Sequence, residues 1–296
     1  QIQDGMIGAI AVSIMPMMIL LSVGALIGSW IISGTVPGMI FYGLQLLNPD
    51  IFYAASAVIC ALASLSLGSS WTVAGTLGIG LMGIATTYGL SPAITAGAII
   101  SGAYFGDKLS PLSDTTNLAA AAVGVDLFEH IKNMLWTTLP AFALALLFFA
   151  IIGSEGAAAP DDITRIRAAL SDQFAITPWV LSPLVLMLAM IYFKIPAYPA
   201  ILLCTLCGAA YGAVFQPEVV RTMALTAHPE SPAPLLQGLW MALFSGYQSP
   251  ADMDQLSQLL DKGGLASMLN TIFLILTAMT FGGLLDSTGI LRQLLD

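Results

Sequence analysis

Ser110, Ser113, Asp114 and Asn117 recur at spacings of three and four within the string GDKLSPLSDTTN, Gly106 to Asn117. On a helix such spacing shares one face. Thr115 and Thr116 flank that face, and Asp107 stands just ahead of it. Carboxylates, hydroxyls and an amide make an all-oxygen donor set. Hard cations take oxygen ligands. Without Cys or His neighbours, a transition metal is not indicated. The pattern points to a sodium-type site on Asp107 and Asp114. A carboxylate withdrawn from water favours its protonated form, and a cation beside it reverses that preference. Sodium and proton would then compete for the same oxygens, which is a minimal basis for exchange. Lys108 stands inside the string. Three roles are open to it: pairing with Asp107 or Asp114 when no cation is bound, contacting an anion, or snorkelling to water.

The elements that position these residues are expected to be broken helices. Ser91-Pro92 and Ser110-Pro111 each pair a capping residue with a proline suited to the first helical position. This predicts a helix from Ser91 to about Phe105, roughly 22 Å long at 1.5 Å per residue. That is short of a hydrocarbon core of about 30 Å. An unwound Gly106–Ser110 would follow, then a second helix from Pro111 to about Val123. The free carbonyls of the first half-helix would face the gap. The uncharged, Gly- and Ser/Thr-rich stretch Gly68–Gly80 reads best as a re-entrant hairpin, adding Ser69, Ser70 and Thr72 to the site. A small-residue helix-packing face is the other reading. Gly34, Pro37 and Gly38 interrupt a further apolar helix, as a functional break or a plain loop.

Composition says what surrounds these elements. Of 296 residues, 57% are hydrophobic and 8% are charged; the mean hydropathy is +0.89. Soluble domains carry about 25% charged residues. Gly5–Pro49 and Ile51–Gly106 contain no charge, and several shorter runs follow. A spanning helix needs about 20 apolar residues. The fold class is therefore all-α, a polytopic membrane protein. The alternating pattern of a membrane β-barrel is missing. With so few basic residues, nucleic acid is not a partner. The expected organisation is a first transmembrane repeat over 1–153, a polar linker over 154–176, and the start of a second repeat over 177–296. Within these, Asp126–Trp136 reads as an interfacial helix, with Glu129 and His130 on its polar side or His130 in a proton relay. Pro217–Pro234 reads as a loop. Cys204 and Cys207 lie in an apolar helix and read as packing residues. Leu20–Ile40 lays weakly over Leu274–Leu294, as an inverted repeat would. The chain begins without Met and is expected to be a fragment. Lys and Arg counts do not decide the orientation.

GSSWTVAGTLG, GAIISGAYFGDKLSPLSDTTNLA, SVGALIGSWIISGTVPGMIFYGL and FGGLLDSTGIL resemble the NhaC-type sodium/proton antiporters. The resemblance covers most of the chain and is densest from Gly24 to Thr138. It implies a multi-pass transporter of the plasma (inner) membrane, with inverted repeats, a re-entrant hairpin and discontinuous helices. It also implies exchange of Na⁺ for H⁺ without a cofactor. A branch of the family exchanges malate for lactate, which keeps small carboxylates open as partners. The positions carried over are Asp107, Ser110, Ser113, Asp114, Thr115, Thr116 and Asn117, with Ser69, Ser70 and Thr72. An intramembrane aspartyl protease is disfavoured. Asp107 and Asp114 sit in one segment, and Tyr104 stands where that motif has glycine.

Overall fold

Gly34 takes the left-handed conformation (φ 78°) between α1 (Ile2–Ile32) and α2 (Thr35–Leu46), so the break expected there is a sharp corner and not a loop. The computed structural model describes residues 2–111, 113–152, 160–193, 195–249, 257 and 259–288, with the side chain of Asp114 outside the description. The Ser33 and Thr35 hydroxyls meet at 2.8 Å across the corner, and Thr35 donates to the carbonyl of Val180. The C-terminal part of α1 forms the core with Leu26, Trp30, Ile31 and Ile32, all at or below 1% exposure.

Helix α3 (Phe52–Leu67) ends at Gly68 (φ 68°). Ser69 then caps α4 (Ser70–Gly75), accepting from the Thr72 amide at 3.3 Å. The backbone breaks at Thr76, and α5 (Leu77–Thr87) follows. The chain does not fold back on itself here, so the expected hairpin at Gly68–Gly80 is replaced by a discontinuous helix. Ser70 lies beside Asp107, Gly78 beside Ile99, and the Tyr88 hydroxyl reaches the carbonyls of Leu44 and Leu47. One run from end to end, antiparallel to α6 (Pro92–Leu109), satisfies all three. The physical reason is close packing. A Cβ at Gly78 would lie 3.1 Å from Ile99, one at Gly80 2.3 Å from Met39, and one at Gly83 2.5 Å from Ile40. The glycines flatten a helix face and do not make a turn.

Helices α3 and α6 run parallel in near backbone contact. A Cβ at Gly102 would lie 2.0 Å from the Ala57 carbonyl, and one at Gly106 2.3 Å from the Ala61 carbonyl. The Ser64 hydroxyl donates to the Ala103 carbonyl at 2.6 Å. This packing holds α6 helical through Gly106 and Asp107 to Leu109, four residues beyond the expected end. Ser110 turns extended (φ −81°, ψ 125°). Proline disfavours the helical region for the residue before it, so Pro111 ends α6 and does not begin the next helix. The chain resumes at α7 (Asp114–Val123).

Elsewhere three expectations change. The interfacial helix at Asp126–Trp136 is the first part of α8 (Leu127–Ile152), which runs unbroken from an Asp126 cap. Within the expected linker, Pro160–Gln173 forms α9. The expected loop after Pro217 begins with α12 (Pro217–Ala227), which buries Val219, Val220, Met223 and Ala224 on one face. Helix α10 (Ser182–Tyr192), α11 (Ala197–Phe215), α13 (Pro234–Phe244) and α14 (Leu269–Ser287) complete the described helices. Cys204 is buried against Met190, and Cys207 is exposed. Helix α14 packs antiparallel on α1, with Gly283 against Gly5 and Gly264 against Gly24. Of the stretch Leu274–Leu294 laid over Leu20–Ile40, residues 289–294 lie outside the described residues. Among the described residues five helices are long and apolar enough to cross a membrane, and Ile163–Gln173 with Pro178–Met190 forms a pair bent by 89°.

Candidate functional site

The carboxylate of Asp107 is 8% exposed and faces α4. Its Oδ2 accepts a hydrogen bond from the Ser70 hydroxyl at 2.9 Å. Ser70 is placed there because Ser69, one residue earlier, caps the helix and fixes its first turn. The Ser69 and Thr72 hydroxyls lie 2.9 Å apart, and Thr72 is 1% exposed. Two helix ends thus meet at this point: the N-terminal turn of α4 and the C-terminal turn of α6.

A third end closes on them. Thr116, in the first turn of α7, donates to the carbonyls of Asp107 and Lys108 at 3.1 and 3.2 Å. Those are end carbonyls of α6 that lack a full set of intrahelical partners. Ser113 caps α7 by accepting from the Thr116 amide at 3.4 Å, and its hydroxyl meets Thr115 at 2.9 Å. Ser110 and Ser113 are buried at 0% and 1% exposure. The expected gap is therefore displaced: Ser110, Pro111 and Ser113 are non-helical, and the Asp107 and Lys108 carbonyls face Thr116.

The predicted residues divide into groups. Ser70, Thr72, Asp107, Ser110, Ser113 and Thr116 are buried in this junction. Thr115 and Asn117 are exposed, and the Asn117 amide donates to the carbonyls of Pro111 and Ser113, fastening the turn. Asp114 begins α7 by its backbone, and its side chain lies outside the described residues. Lys108 is exposed and, among the described residues, forms no ion pair. His130 lies half-buried in the first turn of α8. Ser64 was missed by sequence reasoning. Its only signal is a small polar residue one turn before Gly68 in an apolar helix.

Buried carboxylate, hydroxyls and helix-end carbonyls converge here inside a bundle of apolar helices, and ionisable groups withdrawn into membrane helices are expensive to keep without a use. The sequence profile of the Na⁺/H⁺ antiporter family matches residues 102–296. The chain belongs to that family, and it is a multi-pass integral membrane protein. It is 38% identical over its whole length to the Na⁺/H⁺ antiporter NhaC of Alkalihalophilus pseudofirmus, covering 61% of that protein. It is 35% identical, again over its whole length, to the malate-2H⁺/Na⁺-lactate antiporter of Bacillus subtilis, covering 60% of it. Against the arginine/ornithine antiporter ArcD of Halobacterium salinarum, identity is 32%, over 97% of this chain and 57% of that one. The chain thus spans about 60% of the length of the curated relatives it matches. No solved structure matches it.

Proposed function

We propose that this chain carries the ion site of a secondary active antiporter that exchanges Na⁺, or a similar small cation, for H⁺. The observation that carries the reading is the Ser70–Asp107 hydrogen bond at 2.9 Å, buried where three helix ends meet. A hydroxyl is both donor and acceptor. With Asp107 ionised and empty, Ser70 donates to it. With a sodium ion present, Ser70 turns a lone pair to the ion and Asp107 supplies the charge. With a proton on Asp107, the carboxyl donates and Ser70 accepts. Thr72, Ser110, Ser113 and the carbonyls of Asp107 and Lys108 offer further oxygens, and Asp114 is the second candidate carboxylate. One site loaded by either ion, and opened in turn to each side, gives exchange.

The test is Na⁺-dependent proton movement in proteoliposomes made with the full-length protein. Asp107→Asn and Asp114→Asn are each expected to abolish it. Unchanged exchange in both would remove the site. A second reading, coupling to malate or lactate, is favoured by the whole-chain identity to the Bacillus subtilis malate/lactate protein. Lys108 does not support it, because no helix starts at Ser110 to add donors beside it. Radiolabelled malate and lactate uptake by the same vesicles tests it.

A further inference from the structure

Between α13 and α14 the chain leaves the helix twice and crosses itself. The Tyr247 amide donates to the Lys262 carbonyl at 3.1 Å, and the Gly264 amide to the Gly24 carbonyl in α1 at 2.7 Å. Gly246, Gly263 and Gly264 have φ of 90°, 84° and 82°. A Cβ on Gly264 would lie 2.2 Å from the Gly246 amide nitrogen, and one on Gly263 2.6 Å from that of Gly28. Only glycine tolerates both that backbone and that approach. Non-helical backbone pressed onto a membrane helix is stable where it is buried in protein or lines a polar cavity.

Such a cavity is present. It measures about 520 Å³ and is lined by Ser245, Tyr247, Ser249, Asp261, Lys262 and Ser267. Asp261 is tied down there, its Oδ1 accepting from both the amide and the hydroxyl of Ser249 at 2.7 and 2.6 Å. A second cavity of about 360 Å³ lies on the other side, walled by Ile31, Ile40, Met82 and Ile99. Lys262 lines both, and it is the one ionisable side chain among the residues lining the second. Among the described residues it forms no ion pair. The residue as a whole is exposed, and partial desolvation of its ammonium draws it below the ordinary lysine range.

We propose that Lys262 binds the carboxylate of a small organic anion, seated between the hydroxyls of the polar cavity and the apolar cavity that receives its hydrocarbon end. Charge, hydroxyl donors and an apolar slot side by side match a short carboxylate. A dianionic phosphate would meet the carboxylate of Asp261 with one cation to offset it. The apolar cavity is walled in part by Ala74 of α4 and Ile99 and Ile100 of α6, the helices that carry Ser70 and Asp107. At 1.5 Å per residue, Ile100 stands roughly 10 Å along α6 from Asp107. The anion therefore sits against the elements that hold the cation site without sharing its oxygens.

This proposal rests on the second reading above, and the experiment separates the two. Radiolabelled lactate, a monoanion with a methyl end, is titrated onto the purified full-length protein, as wild type, Lys262→Gln and Lys262→Arg. Removing the charge should weaken binding at least about tenfold, while Arg retains most of it. In the wild type, lactate should also slow modification of Lys262 by an amine-reactive reagent, read by mass spectrometry without any variant. Binding by Lys262→Gln at wild-type strength, or unslowed modification of Lys262, overturns the site and leaves the second reading standing. A wild type that neither binds lactate nor takes up lactate or malate removes both. Na⁺/H⁺ exchange is read separately, through Asp107→Asn.

Discussion

Gly106→Ala is a small change at the point where α6 touches α3, one residue from Asp107. The added Cβ would lie 2.3 Å from the Ala61 carbonyl oxygen and 2.4 Å from the Leu65 nitrogen. Both are backbone atoms inside a helix and cannot step aside as a side chain does. Ordinary carbon contacts lie near 3.5 Å, so α6 must withdraw by about 1 Å. The Ser64–Ala103 bond at 2.6 Å and the Ser70–Asp107 bond at 2.9 Å then both stretch. A withdrawal of that size takes each past about 3.5 Å, where a hydrogen bond is lost. Overpacking costs about 1–3 kcal/mol, and each lost bond adds about 0.5–1.5 kcal/mol. The sum is on the order of 2–6 kcal/mol. Thermal unfolding of the full-length protein in detergent should show a clearly lower midpoint, and Na⁺-dependent proton movement should fall with it. Gly97→Ala is the control in the same helix, because nothing lies within 4 Å of the added Cβ. It should leave both readouts intact or raise stability by about 0.5–1 kcal/mol. Equal behaviour of the two variants would refute the close-packed seam.

Ser70→Ala removes the hydroxyl that faces Asp107. A hydrogen bond to a charged group contributes about 1.5–3 kcal/mol, so the apparent Na⁺ affinity in the exchange assay should fall at least about tenfold. Thr116→Val keeps the shape of α7 but leaves the Asp107 and Lys108 carbonyls without their side-chain donor. It should destabilise by about 1–3 kcal/mol in the unfolding assay and raise the Na⁺ concentration needed for half-maximal exchange. Gly34→Ala places a Cβ on a residue with φ of 78° and 2.9 Å from the Gln216 amide nitrogen. The left-handed conformation alone costs about 1–2 kcal/mol, and the unfolding midpoint should drop accordingly.

The helical membrane class was legible from charge-free runs, and so was the gathering of Asp107 with Ser110, Ser113 and Thr116, because these residues stand close together in the chain. The position of the break was not. Ser110-Pro111 carries the same two residues whether proline starts a helix or stops one. The decision belongs to α3, whose backbone contact at Gly102 and Gly106 keeps α6 wound up to Leu109. The glycines of Gly68–Gly80 misled in the same way: turn residues by type, they serve as packing surface because Met39, Ile40 and Ile99 come against them. Pro217–Ala227 looked like a loop because Glu218 and Arg221 interrupt the apolar pattern, yet its buried positions keep helical spacing. The polar crossing at Tyr247 and Lys262 left no local signal beyond Gly263-Gly264, since its partner is a glycine far away in α1.

The contact between α3 and α6 also bears on how the site changes sides. Carbonyl oxygens of one helix against the bare Cα atoms of the other, with Ser64 bolting them together, leave no slack for sliding. In the exchange proposed above, these two helices would travel as a single beam. Helix α4 meets that beam near the carboxylate through the hydroxyl of Ser70. The joint that can open is therefore the one that the ion itself would occupy, so that cargo and latch are the same few atoms.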